Sequence, residues 1–433
     1  MTTTVTAADN APKVLISQSG RKGDPGTNGT NGDGFNQVRK SLLDNPLCHL
    51  FKTNKLVETS APTGTDSDIT FTRASTATYV DRYGIVKTAT VNTIREEKDG
   101  FLIEQAGTNL VPYSEQFDRA VWNKSSVTVT ANTYTSPDGT VTADAINTTA
   151  NNGYTNGIIA ISNDTNYYTI SIFLKQGTAP VTTVGAFCAG GGGTLVENRF
   201  TFDWATFSTL NGSGSIKIIN DEWIRVEVQI QNNNSGNTSL FLRLYPAGQS
   251  AASGSVIAWG AQLEQSLAAT SYIPTVATPV TRLVDKALLP VLNNVVTKEF
   301  SIFGIISNKS DSTGGNKIIF RMPVASGFFT LFYTPSNSNF IFRYYGNSTP
   351  LEFGAISTEN TVYFAITVDE SNVTININGT ESSATKLSDP SLLLANNVAF
   401  FGTTGSALSN GNIKDFRIYD FALNTNEIEY LLP

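Results

Sequence analysis

From Ile69 onward, apolar and polar residues alternate with a period of two, the pattern of strands that bury one face. Tyr168, Ile170, Ile172 and Leu174 fall on one face of such a run. So do Ile224, Val226, Val228 and Ile230, and then Leu240, Leu242 and Leu244. The segments between them are turn formers: Asn151-Asn152-Gly153, Gly190 to Gly193, Asn211-Gly212 and Asn232 to Gly236. Strands at this spacing predict a sandwich or jelly roll. A proline-punctuated stretch, TSYIPTVATPVTRLVDKALLPV, follows, and eight further strand-like runs from FSIFGIIS to IKDFRIYD predict a second unit. The chain ends in FALNTNEIEYLLP, where Asn424 and Glu427 have the spacing of a helix capping box. Ile428, Leu431 and Leu432 would bury the inner face of that short helix.

The N-terminal part follows other periods. Gly20, Gly23, Gly26, Gly29 and Gly32 stand at strict three-residue spacing in GRK-GDP-GTN-GTN-GDG. Glycine at every third position is what three polyproline-II strands need to wind around one axis. Five triplets would make a rod of only about 45 Å. The same residues also make ordinary flexible linkers, and spacing alone leaves both readings open. Directly afterwards Phe35, Val38 and Leu42 form a one-sided helical stripe, which Asn45-Pro46 would end. Such a helix would either lock three chains in register or pack on its own domain.

Composition narrows the function classes. Charged residues make up 15% of the 433 residues and the net charge is −7. Nothing in that balance would neutralise a phosphate backbone, so nucleic acid is excluded as a partner. No run reaches the length of apolar residues that a membrane span needs. The start, MTTTVTAADNAPKVLIS, lacks the basic and apolar regions of a secretory signal. Cys48 and Cys188 are the only cysteines, which rules out a disulfide framework. An exterior-type surface without an export signal fits a virus particle released by lysis.

Chemistry is sparse. His49 is the only histidine and lies in the apolar patch LCHLF, so a histidine-based triad or metal site is not expected. Glycan cleavage needs two carboxylates. The acidic residues, as in Pro137-Asp138-Gly139 and Asp311-Ser312, are expected mainly in solvated turns, and no solenoid period is present. No catalytic residue and no cofactor is assigned. Sugar binding would draw on aromatic side chains. Trp223 and Trp259 sit in alternating strands and are expected in the core. Trp122 and Trp204 follow turn-like segments and are ligand-binding candidates. Tyr344 and Tyr345 are adjacent, so on a strand they point to opposite faces and one of them must face outward.

Three stretches carry a resemblance. Residues 69–117 contain RASTATYVD, then GFLIE and TNL, and resemble a module of bacteriophage tail and head fibre proteins. SPDGTVTADAI and IAWGAQLEQSLAATSYIPTVATPVTR resemble the carbohydrate-binding-module-like jelly roll that follows that module. NVTININGT with IKDFRIYDFALNTNEIEYLL resembles a laminin-G or concanavalin-A-like lectin sandwich. The expected fold class is therefore all-β: two β-sandwich (jelly-roll/lectin-like) domains after a short collagen-like and helical N-terminal stalk. The expected division is a virion attachment segment (1–19), a collagen-like neck (20–34), and a helix with its connector (35–62). The fibre module with its jelly roll (63–275), a linker (276–296) and the lectin-like sandwich (297–433) follow. The resemblance implies a homotrimer on a phage particle. Its N-terminus would contact other virion proteins and its sandwiches would bind host-surface polysaccharide. Alternatives are a structural collar, whisker or head fibre without glycan binding, or a polysaccharide depolymerase. Lectin-like sandwiches also carry structural calcium, but no Asp-x-Asp-x-Asn-Gly loop is present to supply ligands.

Overall fold

The computed structural model describes residues 70–289, 361–385, 410–419 and 421–432, with the segments 48–50, 58–59, 299–308, 317–324, 327–334, 339–343, 351–353 and 398–400. The glycine triplets, the 35–45 stripe with Phe35, Val38 and Leu42, and the pair Tyr344 and Tyr345 lie outside the described residues. Of the patch around His49, only the strand Cys48–Leu50 is described.

The expected all-β sandwiches are present. The first is a jelly roll of two six-stranded antiparallel sheets. One sheet runs Val127–Tyr134, Ala143–Thr148, Gly254–Glu264, Tyr167–Gln176, Trp223–Gln231, Ser215–Ile218. The other runs Thr209–Asn211, Val196–Asp203, Val181–Ala189, Ser239–Tyr245, Tyr154–Ala160, Trp122–Ser125. The alternating residues named from the sequence meet between them. Tyr168, Ile170, Ile172, Leu174, Val226, Val228, Leu240, Leu242 and Leu244 share one buried cluster. Ile170 and Val228 are direct cross-strand partners.

The second sandwich takes strands from both ends of the described chain. Phe300–Asn308 pairs with Thr361–Val368 on one side and with Gly411–Tyr419 on the other. Gly411–Tyr419 also receives Gly100–Ile103 and Cys48–Leu50. In the facing sheet, Lys286–Leu289 pairs with Thr70–Thr72 and with Val398–Phe400. The jelly roll is thus inserted into the second sandwich. The chain enters it along Gly107–Asn109 and leaves along Val280–Arg282, and these two strands pair with each other. Strands within residues 70–103 and 280–289, expected in the fibre module and the linker, thus pair into the second sandwich with partners from about one hundred to about three hundred positions away in sequence.

At the C-terminus the helix Thr425–Leu431 starts as its sequence predicts. Asn424 accepts from the Glu427 backbone, and the Glu427 side chain accepts from the Asn424 backbone. Ile428 and Leu431 are buried against Phe303, Ala365 and Tyr419.

Where the two sandwiches join, five charged side chains are buried together. Arg73 binds Asp285 at 3.2 Å, and Arg95 binds Glu104 at 2.7 Å and also Asp285. Arg282 lies 3.6 Å from Glu104. None of these side chains is more than 4% exposed. The remaining polar atoms are mostly met locally: Arg73 donates to the carbonyls of Ser75, Thr90 and Thr93, and Arg95 to that of Thr78. Glu104 accepts from the backbone and hydroxyl of Ser271. Burial alone would push the Glu104 carboxyl up. The charges of Arg282 and Arg95, with these hydrogen bonds, instead hold it well below the usual carboxylate range. Arg73 opens the RASTATYVD motif, Glu104 closes GFLIE and Asp285 closes TRLVD. These motifs therefore build the joint, and Glu104 and Asp285 are buried there rather than in solvated turns, whereas Asp81 of RASTATYVD does sit in a turn.

Candidate functional site

Alternation that buries Leu240, Leu242 and Leu244 must send Phe241, Arg243 and Tyr245 to the other side of the strand Ser239–Tyr245. The same rule applies across the sheet and sets three rows on its outer face. In the middle row Asn123 pairs with Asn156, Asn156 with Arg243, Arg243 with Gly185, and Gly185 with Arg199. On one side of it Ile158 pairs with Phe241, Phe241 with Phe187, and Phe187 with Glu197. On the other side Tyr245 pairs with Thr183 and Thr183 with Thr201, and the Tyr154 and Tyr245 rings lie 5.3 Å apart.

A polar row thus runs between two rows that carry rings, and the rings hold the cation. The Arg243 guanidinium lies 4.7 Å from the Tyr154 ring centre, 4.6 Å from Phe187 and 5.6 Å from Phe241. Arg199 lies 5.1 Å from the Phe187 ring and binds Glu197 at 2.8 Å. Gly185 is required here. A Cβ on it would stand 2.6 Å from the Phe187 ring, so a side chain would dislodge the ring that carries both arginines. Among the described residues the Arg243 guanidinium has no hydrogen-bond or ion-pair partner, and its Nε is buried. The Oδ1 of Asn156, a residue 4% exposed, is likewise unmet.

Flat rings beside fixed donors and an unmet acceptor suit a ligand with an apolar face and a polar edge. Glu197 is the one carboxylate across the three rows and it is paired. The two carboxylates that glycoside cleavage uses are not assembled on this face. Among the described residues no group of three or more His, Cys, Asp or Glu side chains converges to hold a metal ion.

A second concavity of about 440 Å³ lies between the two sandwiches, lined in part by Tyr79, Arg225, Glu227 and Tyr272. Its buried cation is already engaged. Arg225 donates to the Thr270 carbonyl at 2.9 Å and to Ser171 Oγ at 2.8 Å.

The tryptophans fall differently from expectation in part. Trp223 and Trp259 are buried, as their strands predict. Trp122 and Trp204 are not ligand-facing, which corrects the reading from sequence. Trp122 is fully buried, its ring packed over Gly157 and beside Phe117 at 4.7 Å, with Nε1 donating to the Tyr113 carbonyl. Trp204 is 6% exposed, and its Nε1 donates to Thr182 Oγ1 at 2.8 Å. Both indole N–H groups are satisfied inside, so neither needs solvent or ligand. The residues that sequence reasoning passed over are Tyr154, Asn156, Phe187, Arg199, Phe241 and Arg243. Their signal was present as the alternate members of strands whose other members face the core.

The described fold is that of an all-β protein built from two sandwiches. Residues 289–429 match the family described as the Concanavalin A-like lectin/glucanases superfamily. No curated protein sequence matches the chain. Similar solved structures include domain 4 of the Geobacillus stearothermophilus arabinanase AbnA in complex with arabinotriose. It is 21% identical at a TM-score of 0.30, covering 38% of this chain and 82% of that one. The CBM40 module of the Ruminococcus gnavus IT-sialidase is 14% identical at 0.28, covering 32% of this chain and 84% of that one. Trypanosoma rangeli sialidase in complex with sialic acid is 13% identical at 0.29, covering 67% of this chain and 60% of that one.

Proposed function

We propose that this chain is a subunit of a trimeric bacteriophage fibre or appendage and that it binds host-surface glycan through the outer face of its jelly roll. The observation that carries the glycan reading is the row Asn156–Arg243–Gly185–Arg199 between rows that carry rings, with polar atoms left unmet at its centre. The lectin-superfamily match over residues 289–429 supports the same ligand class for the second sandwich. The fibre reading is supported by the resemblance of residues 69–117 and 257–282 to phage fibre modules, and the trimer by the glycine triplets of residues 20–34. Single lectin-type sites are weak. Three on one fibre gain avidity without any new contact. The protein would then be made in the host cytoplasm and carried on the virion.

Two measurements test this. The mass in solution should be three times the 46.5 kDa of one chain. The purified protein on an array of bacterial polysaccharides should give signal. A silent array, with undiminished adsorption of phage lacking the protein, refutes receptor binding and leaves a structural decoration. Release of reducing ends from host polysaccharide would instead establish a depolymerase.

A further inference from the structure

The jelly-roll face carries a charge that a neutral sugar would not use. Of its two arginines, Arg199 is neutralised by Glu197 at 2.8 Å. Arg243 is left with a full positive charge on a chain whose net charge is −7. Its position is set by the rings of Tyr154, Phe187 and Phe241, which clamp the guanidinium without neutralising it. A planar fork held this way is suited to a carboxylate, which accepts two parallel N–H bonds from it. Asn156 stands directly across the strand pair from Arg243, buried, with its Oδ1 lacking a donor. A buried acceptor without a partner is costly until a donor arrives. The two unmet groups are of opposite kind and adjacent: one asks for an anion, the other for a hydroxyl.

We propose that this face selects a carboxylate-bearing sugar, a uronic or ulosonic acid residue within a polysaccharide. The carboxylate sits on Arg243, and a neighbouring hydroxyl donates to Asn156 Oδ1. The sugar ring packs against the half-buried rings of Tyr154 and Phe241, which flank the row. This rests on the glycan-binding reading above and adds the sugar class.

The test uses the full chain and three carboxylated polymers: polygalacturonate, alginate and polysialic acid. Each is paired with its carboxyl-reduced, neutral form, and a phosphorylated mannan serves as the phosphate arm. The expected result is binding to at least one acidic polymer that weakens about tenfold or more on carboxyl reduction, and again in Arg243→Gln. Binding should also weaken as salt rises. Asn156→Asp, which places a negative charge beside the site, should abolish acidic binding and serves as the second variant if Arg243→Gln fails to fold. Equal binding of the reduced and native polymers, or an unaffected Arg243→Gln, overturns the sugar class and leaves the glycan reading intact. Binding only to the phosphorylated mannan also overturns it, in favour of phosphate. No binding to any polymer, together with a silent array, removes both readings.

Discussion

Replacing Asp285 by asparagine keeps the shape of the side chain and removes one charge from the joint between the sandwiches. Asp285 holds Arg73 at 3.2 Å, also pairs with Arg95, and accepts from the Glu104 backbone at 2.8 Å. With it neutral, Arg73, Arg95 and Arg282 would share only Glu104, so the buried set changes from three cations against two anions to three against one. Breaking a buried pair by removing one partner costs about 3–5 kcal/mol, because the survivor stays buried and uncompensated. For folding units of this size each kcal/mol lowers the melting temperature by roughly 2–4 °C, so the loss should be roughly 6–20 °C. Calorimetry of the full chain reads this directly. The electrostatic account makes a second demand. Adding Arg73→Met removes one surplus cation, so the double variant should be less destabilised than the sum of the single ones, with a coupling of about 0.5–3 kcal/mol. A loss below about 1 kcal/mol in Asp285→Asn, or strict additivity with Arg73→Met, would refute the view that these charges depend on one another.

Two further outcomes follow from buried titratable groups. Glu104 is held below the ordinary carboxylate range in the folded state, so its contribution is complete above the unfolded value of about 4.3 and drains away as the pH falls below it. The acid limb of a stability–pH curve should therefore be flatter in Glu104→Gln than in the parent, and parallel limbs would contradict the assignment. Glu264, pushed up by burial, works in the opposite direction and loses its contribution as pH rises. Cys188 lies in the jelly-roll core, where burial, reinforced by Asp164, pushes its thiol up to about 11. In a Cys48→Ser background a thiol reagent at neutral pH should label Cys188 only at the rate of jelly-roll opening, and rapid labelling of the folded protein would overturn that placement.

What the sequence disclosed and what it hid have separate physical causes. Period-two alternation is a local property, so Leu240, Leu242 and Leu244 identify a core face without knowledge of their partners. The capping box at Asn424 is equally local, since both hydrogen bonds close within one turn. The insertion of one sandwich into the other is not local. It rests on pairings such as Ile103 with Gly411, and no window of sequence contains both strands. The ionic joint is hidden for the same reason: Arg73 and Asp285 are 212 positions apart, and each alone reads as a surface charge beside a turn. Trp122 misleads because its strand is short. Only the tryptophan of Trp122–Ser125 is buried, so there is no alternating run from which to infer its direction.

The jelly-roll face is set partly by local alternation and partly by register. Once Leu240, Leu242 and Leu244 are assigned inward, Phe241, Arg243 and Tyr245 are necessarily on the other face, and a half-buried arginine between two aromatics there asks for an explanation. That much was legible. That Arg243 stands between Asn156 and Gly185, and that Glu197 is spent on Arg199, depends on register across four strands. Composition gives an acidic protein with no reason to attract anions. Register alone places one uncompensated cation beside one unmet acceptor, and the proposed preference for acidic sugars rests on this pairing rather than on the overall charge.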